Sequence, residues 1–88
     1  MSCEIRFTRH VSLKFDALRH HGFEVTQAEV EQVVLDPDSV WPQEGERWIA
    51  QKAITGRHVL RVVYRREPGA VVIITFYPGR KERYESAV

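Results

Sequence analysis

Two arginines in one predicted strand are the side chains of this sequence best suited to chemistry. Residues 58–66 alternate in a way that predicts a β-strand, with Arg61 and Arg65 on the same face. A guanidinium group can donate two parallel hydrogen bonds to phosphate oxygens. We therefore expect the pair to hold neighbouring phosphates, or two oxygens around one phosphate. The alternative is that both arginines are solvated and pair with Glu or Asp on an exposed face of the sheet.

The predicted strands on either side add cations and aromatic groups to this face. The preceding strand offers Arg47 or Lys52, and the following strand offers Thr75 or Tyr77. A sheet that bears arginine, lysine and aromatic side chains suits single-stranded RNA, because bases stack on the rings and cations bind the phosphates. We predict that four cations position such a strand: Arg47, Lys52, Arg80 and Arg83.

No metal or other cofactor is expected from the remaining chemistry-bearing residues. The sequence has no glycine-rich phosphate loop and no nucleophile motif. Its four histidines lack the spacing of metal ligands, and the single cysteine, Cys3, cannot form an internal disulfide. His10 stands out because it follows Thr8 in the first turn of a predicted helix, where its imidazole could turn toward the sheet. A purely structural role for His10 is the alternative.

The net charge of +1 conceals an uneven distribution of charge along the chain. Residues 24–46 carry seven acidic side chains and no Lys or Arg, whereas residues 47–83 carry nine basic and two acidic ones. Such asymmetry indicates either an anionic partner for the basic segment or acidic and basic segments that pack side by side. The acidic segment could also bind a basic partner protein or a second copy of the chain. The small total favours a local phosphate site over a broadly basic, RNA-coating surface.

The length and the apolar pattern predict one domain without membrane contact. A chain of 88 residues is too short for two cores. No apolar run approaches the roughly 20 residues that a membrane span needs. Charges at Glu4, Arg6 and Arg9 interrupt the start of the chain, where a signal peptide would be apolar. We therefore expect a cytoplasmic protein.

Capping signals predict two helices in the first half of the chain. After a short strand at residues 4–7, Thr8 is placed to begin a helix that Gly22 ends, with an apolar stripe of Val11, Phe15 and Leu18. Thr26 and Glu29 have the spacing of a capping box. The apolar face of this second helix is predicted to contain Ala28, Val30, Val33 and Val34, and Asp36-Pro37 is expected to end it.

Turn signals in the second half predict β-structure. Strands are expected at residues 47–54, 58–66 and 71–77, with Pro78-Gly79 ending the last one, and residues 40–41 as a short extended piece. The predicted fold is α+β, with two N-terminal helices packed on an antiparallel sheet of three to four strands.

Several short motifs, taken in their order and spacing, resemble a known family. The resemblance covers about residues 4–78 and is to small uncharacterised domains that begin with a strand and a Ser/Thr-x-His motif. That family resembles the RelE/ParE superfamily of toxins in bacterial toxin–antitoxin pairs, and BrnT-like members above all. The motifs are Ile5-Arg6-Phe7-Thr8-Arg9-His10, Gly22-Phe23, Glu29-Val30, Asp36-Pro37, Val62-Val63-Tyr64 and Thr75-Phe76-Tyr77.

The resemblance implies a RelE-like fold, a metal-free endoribonuclease acting on mRNA, and a cognate antitoxin as partner. In such a reaction the 2′-hydroxyl of the RNA attacks the adjacent phosphate. The protein aligns the attack, stabilises the transition-state charge and moves protons. Arg61 and Arg65 would supply the charge stabilisation, and His10 or Tyr77 would handle protons.

Two further interpretations stay open at this point. The same fold could be a binding module that contacts nucleic acid or a protein without catalysis. Salt-sensitive binding without turnover would distinguish it from a nuclease. A small metabolic enzyme or a stress protein is the third alternative.

Overall fold

The sequence forms two helices and five strands in a computed structural model that describes residues 4–22 and 24–80. The elements, in chain order, are β1 (Glu4–Phe7), α1 (Arg9–His20), α2 (Gln27–Leu35), β2 (Ser39–Gln43), β3 (Arg47–Ala53), β4 (His58–Glu67) and β5 (Ala70–Arg80). The predicted α+β class is confirmed, although both helices follow a first strand. Cys3 and Arg83 lie outside the described residues.

The sheet is larger than predicted and is mixed. Its five strands lie in the order β1-β5-β4-β3-β2, with β1 parallel to β5 and the other three pairs antiparallel. The prediction of an antiparallel sheet with three to four strands was therefore wrong. β2 continues through Pro42. Proline has no N–H to donate, but β2 is an edge strand, where one missing hydrogen bond of the ladder is tolerated.

Side-chain caps begin both helices as predicted. The Thr8 hydroxyl accepts a hydrogen bond from the Val11 N–H at 3.3 Å, and Gly22 follows α1 with a φ of 77°. Thr26 and Glu29 form the complete capping box at the start of α2. These local signals fix where the helices start, so they also fix which faces the helices turn toward the sheet.

The core lies between the two helices and one face of the sheet. Val11 on α1, with Val30 and Val33 on α2, is fully buried, whereas the predicted core residue Ala28 is exposed. The strands contribute mainly apolar side chains to the same cluster: Ala50, Leu60, Val62, Tyr64, Ile73 and Phe76. Burial of this contiguous apolar surface is the main term that holds helices and sheet together.

β5 continues beyond its predicted end and has one unpaired edge. β1 pairs only with residues 70–73 of β5, and a bulge follows at once, where Ile74 is the extra residue. The strand then runs through Pro78 and Gly79 to Arg80 while it remains paired with β4. Among the described residues no strand pairs with the other side of residues 74–80, which we call the free edge of β5. Proline fits here because its missing N–H faces that unpaired side.

In the part of the chain that the structure describes, neither helix has the length and apolar character needed to cross a membrane.

Candidate nucleic-acid interface

The face of the sheet opposite the helices carries the two arginines singled out in the sequence. Arg61 and Arg65 alternate with core residues along β4 and therefore share this face, as predicted. In the described residues no helix packs there, so we call it the helix-free face. Register places Gln51 of β3 and Tyr77 of β5 directly opposite Arg61. The main polar and aromatic side chains of the helix-free face are Trp41, Arg47, Gln51, Arg61, Arg65 and Tyr77.

Arg61 is half-buried and held in a defined orientation. Its Nε donates a hydrogen bond to Oε1 of Gln51 at 2.7 Å, and its guanidinium carbon lies 4.9 Å from the centre of the Trp41 ring. Gln51 itself is only 6% exposed, so this hydrogen bond satisfies a buried acceptor. This hydrogen bond and the contact with the face of the Trp41 ring together hold the guanidinium group in place. The arrangement is suited to presenting a planar cation to an anionic ligand.

Arg65 is held by a different partner from Arg61. The two arginines are four positions apart, which corresponds to about 13 Å along a strand. Arg65 donates from its Nε and from one terminal nitrogen to Glu67 Oε2, at 3.1 and 2.8 Å. Arg65 thus matches the alternative, a surface arginine paired with a carboxylate. That the pair holds one phosphate or two neighbouring ones stays a prediction.

Two of the four predicted RNA-binding cations, Lys52 and Arg80, lie on the helix side of the sheet and not on the face of Arg61. Lys52 pairs in register with the core residue Leu60 and so faces the helices. Its ammonium donates to the carbonyl oxygen of Asp36 at 2.8 Å, just past the end of α2, where a cation complements the helix dipole. Arg80 pairs with His58 and by register also lies on the helix side, exposed at the end of β5. Arg47 does lie on the helix-free face, opposite Arg65, whereas Arg83 lies outside the described residues.

His10 is not assembled with Arg61. It is exposed on α1, which packs on the opposite face of the sheet, and its imidazole makes no hydrogen bond among the described residues. Tyr77, the other residue considered for proton transfer, is half-buried and lies directly across from Arg61. The predicted set of His10, Arg61, Arg65 and Tyr77 thus divides: only Arg61 and Tyr77 are neighbours.

Lys14 is a residue that sequence reasoning missed. It projects from α1 to the free edge of β5, where its ammonium donates to Thr75 Oγ1 at 3.0 Å. The same nitrogen lies 5.6 Å from the Phe76 ring centre and 6.0 Å from that of Tyr77. Partial burial lowers the pKa of Lys14. The helical pattern could have indicated only that Lys14 precedes the core residue Phe15; its contact with β5 depends on the fold.

Two other features of the molecule are separate from this face. A cleft of about 510 Å³ between α1 and the start of α2 contains none of the predicted site residues; its lining is Ser12, Phe15, Asp16, Arg19, Glu24, Val25, Thr26 and Gln27. Within residues 4–22 and 24–80, no group of three or more His, Cys, Asp or Glu side chains is arranged to hold a metal ion. The helix-free face is therefore the candidate site.

Comparisons of the chain with protein-family models, with curated proteins and with solved structures found no match.

Proposed function

We propose that this domain binds single-stranded RNA across the helix-free face of its sheet. The observation that carries the proposal is the grouping of Trp41, Arg61 and Tyr77, which come from three different strands. A cation flanked by two aromatic rings matches a single-stranded nucleic acid, in which phosphates alternate with bases that can stack. Every base has a π-face, so this arrangement suits binding without strong sequence preference.

Preorganisation of Arg61 further supports the proposal. Gln51 and Trp41 already fix the guanidinium before any ligand arrives. A side chain that is ordered in the free protein loses less conformational entropy on binding. The conformational entropy of the Arg61 side chain is already lost when the protein folds, so a contact with phosphate contributes more fully to the affinity.

The test is salt-dependent binding of a labelled octauridine, followed by fluorescence anisotropy. We expect the affinity of the wild-type protein to fall linearly with salt on logarithmic axes, because phosphate contacts release counterions. Arg61→Ala should weaken binding and flatten the salt dependence. Arg57→Ala, at an exposed arginine in the turn before β4, is the matched control and should bind like the wild type. Absence of binding at low salt would overturn the proposal.

A second candidate function is metal-free RNA cleavage as a RelE/ParE-like toxin, with an antitoxin as its protein partner. The specific observation in its favour is Tyr77, whose residue position pairs with Arg61. The hydroxyl of a tyrosine in this position could donate a proton to the leaving 5′-oxygen. Arg61 would stabilise charge on the phosphate while the 2′-oxygen bonds to phosphorus, the bond from phosphorus to the 5′-oxygen breaks, and the 2′-hydroxyl proton passes to water.

Tyr77→Phe separates the two functions because it keeps the ring and removes the hydroxyl. If the domain cleaves RNA, this variant should bind octauridine normally and leave cellular RNA intact. Controlled expression of the wild type should then arrest growth, and co-expression of a cognate antitoxin should relieve the arrest. Harmless expression of the wild type with intact RNA would remove the toxin candidate and leave the binding function.

A further inference from the structure

Lys14 occupies a position where two faces of the sheet meet. Phe76 points into the core, whereas Tyr77 belongs to the helix-free face. An ammonium group within about 6 Å of both ring centres must therefore lie at the edge of β5 rather than over either face. The Thr75 hydroxyl holds it there at 3.0 Å. Within residues 4–22 and 24–80, no strand covers this position on the free edge of β5, so a ligand could approach it from the side.

The charge of Lys14 has no carboxylate partner among the described residues. Some other cations of the described residues do have one: Arg65 pairs with Glu67, Arg19 with Asp16, and Lys52 with Asp36. Lys14 is partly buried against aromatic rings, and its one hydrogen bond is to a neutral hydroxyl. A desolvated cation without a counter-charge lowers the stability of the fold. An anionic ligand would supply the missing charge.

The position of Lys14 relative to Arg61 suggests which anion. Tyr77 pairs in register with Arg61 on one side and lies beside the Lys14 ammonium on the other. Neighbouring strands are about 4.8 Å apart, so Arg61 on β4 and the Lys14 ammonium at the free edge of β5 lie on opposite sides of Tyr77. A polymer with repeated phosphates can contact both cations, with a base stacked on the ring between them.

We propose that Lys14 and the Thr75 hydroxyl bind a phosphate of the same single-stranded RNA, so that the strand leaves the helix-free face over the free edge of β5. This inference rests on the proposed RNA-binding function. It adds a second phosphate position, at the free edge of β5, and it sets the path of the strand across β4 and β5 rather than along them.

The experiment compares charge removal at two positions of α1. Lys14→Met keeps the apolar stem and removes the charge, and Arg9→Met removes one charge from an exposed position of the same helix. Octauridine affinity is measured over a range of salt concentrations. We expect Lys14→Met to reduce the slope of log affinity against log salt by about 0.7, the value for one phosphate contact with a single strand. Arg9→Met should retain the wild-type slope.

Two conservative variants keep the test independent of folding defects. Lys14→Arg should preserve the slope because it keeps the cation. Thr75→Val should weaken binding with the slope retained, because it removes the hydroxyl that holds the ammonium in place. Urea unfolding curves confirm that each variant is folded.

The outcomes separate this inference from the function on which it rests. If the wild type binds octauridine and Lys14→Met keeps the wild-type slope, the Lys14 site is wrong and the RNA-binding function stands. The same holds if Arg9→Met and Lys14→Met flatten the slope equally, since net charge alone would then account for both. If the wild type does not bind octauridine at all, both proposals fail.

Discussion

Gln51 and Arg61 are joined side chain to side chain across the β3–β4 ladder, with 2.7 Å between Gln51 Oε1 and Arg61 Nε. Gln51 is the single buried polar side chain among the described residues, and Arg61 is its hydrogen-bond donor. The pair therefore has a structural role as well as a proposed functional one. A surface arginine without such a partner would be free to sample many rotamers.

Loss of the Arg61 side chain should destabilise the fold measurably. Arg61→Ala leaves the buried Gln51 oxygen without this donor, and an unsatisfied buried acceptor costs about 1 to 3 kcal/mol. Urea unfolding should show this loss for Arg61→Ala and a smaller one for Arg61→Ala combined with Gln51→Leu, which removes the orphaned acceptor. Equal stability of the single variant and the wild type would contradict the structural role.

Neutralising Glu67 should strengthen RNA binding. Glu67 accepts both hydrogen bonds from Arg65 and lies 3.9 Å from a terminal nitrogen of Arg6. Glu67→Gln would release Arg65 toward phosphates, whereas Arg6 keeps its pair with Glu4 at 3.2 Å, so we expect higher octauridine affinity and a steeper salt dependence. Glu31→Gln, on α2 and therefore on the other face of the sheet, removes the same charge as a control. Equal effects of the two variants would indicate net charge alone.

The stability cost of Lys14 should depend on pH in a definite direction. Burial lowers the pKa of Lys14 in the folded state below its ordinary 10.5, so the unfolded chain binds this proton more tightly. Protonated Lys14 therefore opposes folding at neutral pH, and the opposition fades as the pH rises through the lowered pKa toward 10.5. Lys14→Met should need more urea to unfold than the wild type at pH 7.

The advantage of Lys14→Met should shrink as the pH approaches 10.5. Groups that titrate in both proteins cancel in the comparison, and Arg9→Met, which carries no such cost, should show no comparable trend. A constant difference between Lys14→Met and the wild type from pH 7 to pH 10.5 would mean that desolvation of the ammonium is not its cause.

Removing the cap of α2 should weaken the fold by about 1 kcal/mol. In Thr26→Ala the N–H of Glu29 loses its acceptor, and half of the reciprocal capping box disappears. Gln27→Ala changes the next residue of the same turn, which is exposed, and should be nearly neutral. Urea midpoints that fall equally for both variants would show that the box itself contributes little.

Local chemistry determined which parts of this fold the sequence could predict. The caps at Thr8 and Thr26 were predictable because each depends on residues three apart in the chain. The end of β5 was not predictable. Proline interrupts a strand only where the ladder needs a backbone N–H at that position, and at Pro78 this depends on whether a neighbouring strand pairs there. The orientation of β1 was likewise set by its distant partner.

The candidate site shows the same division. Alternation correctly assigned Arg61 and Arg65 to one face, since the period of a strand is intrinsic. Gln51 orients Arg61, and Glu67 neutralises Arg65. The alternation of polar and apolar residues does not predict either contact. Alternation left open whether Arg47 or Lys52 shares the face of Arg61, because the answer depends on the register of β3 against β4. Lys14 could be recognised only after α1 was seen beside β5.

The free edge of β5 also bears on how copies of this protein behave at high concentration. An unpaired strand edge is a template on which another chain can add a strand, which is a route to aggregation. Pro78 interrupts the row of donors along this edge, and the Lys14 ammonium projects beside it. Proline and lysine are the residues that natural sheets use to prevent such additions. The edge is thereby closed to a polypeptide strand while its cation stays accessible to a small or flexible anion.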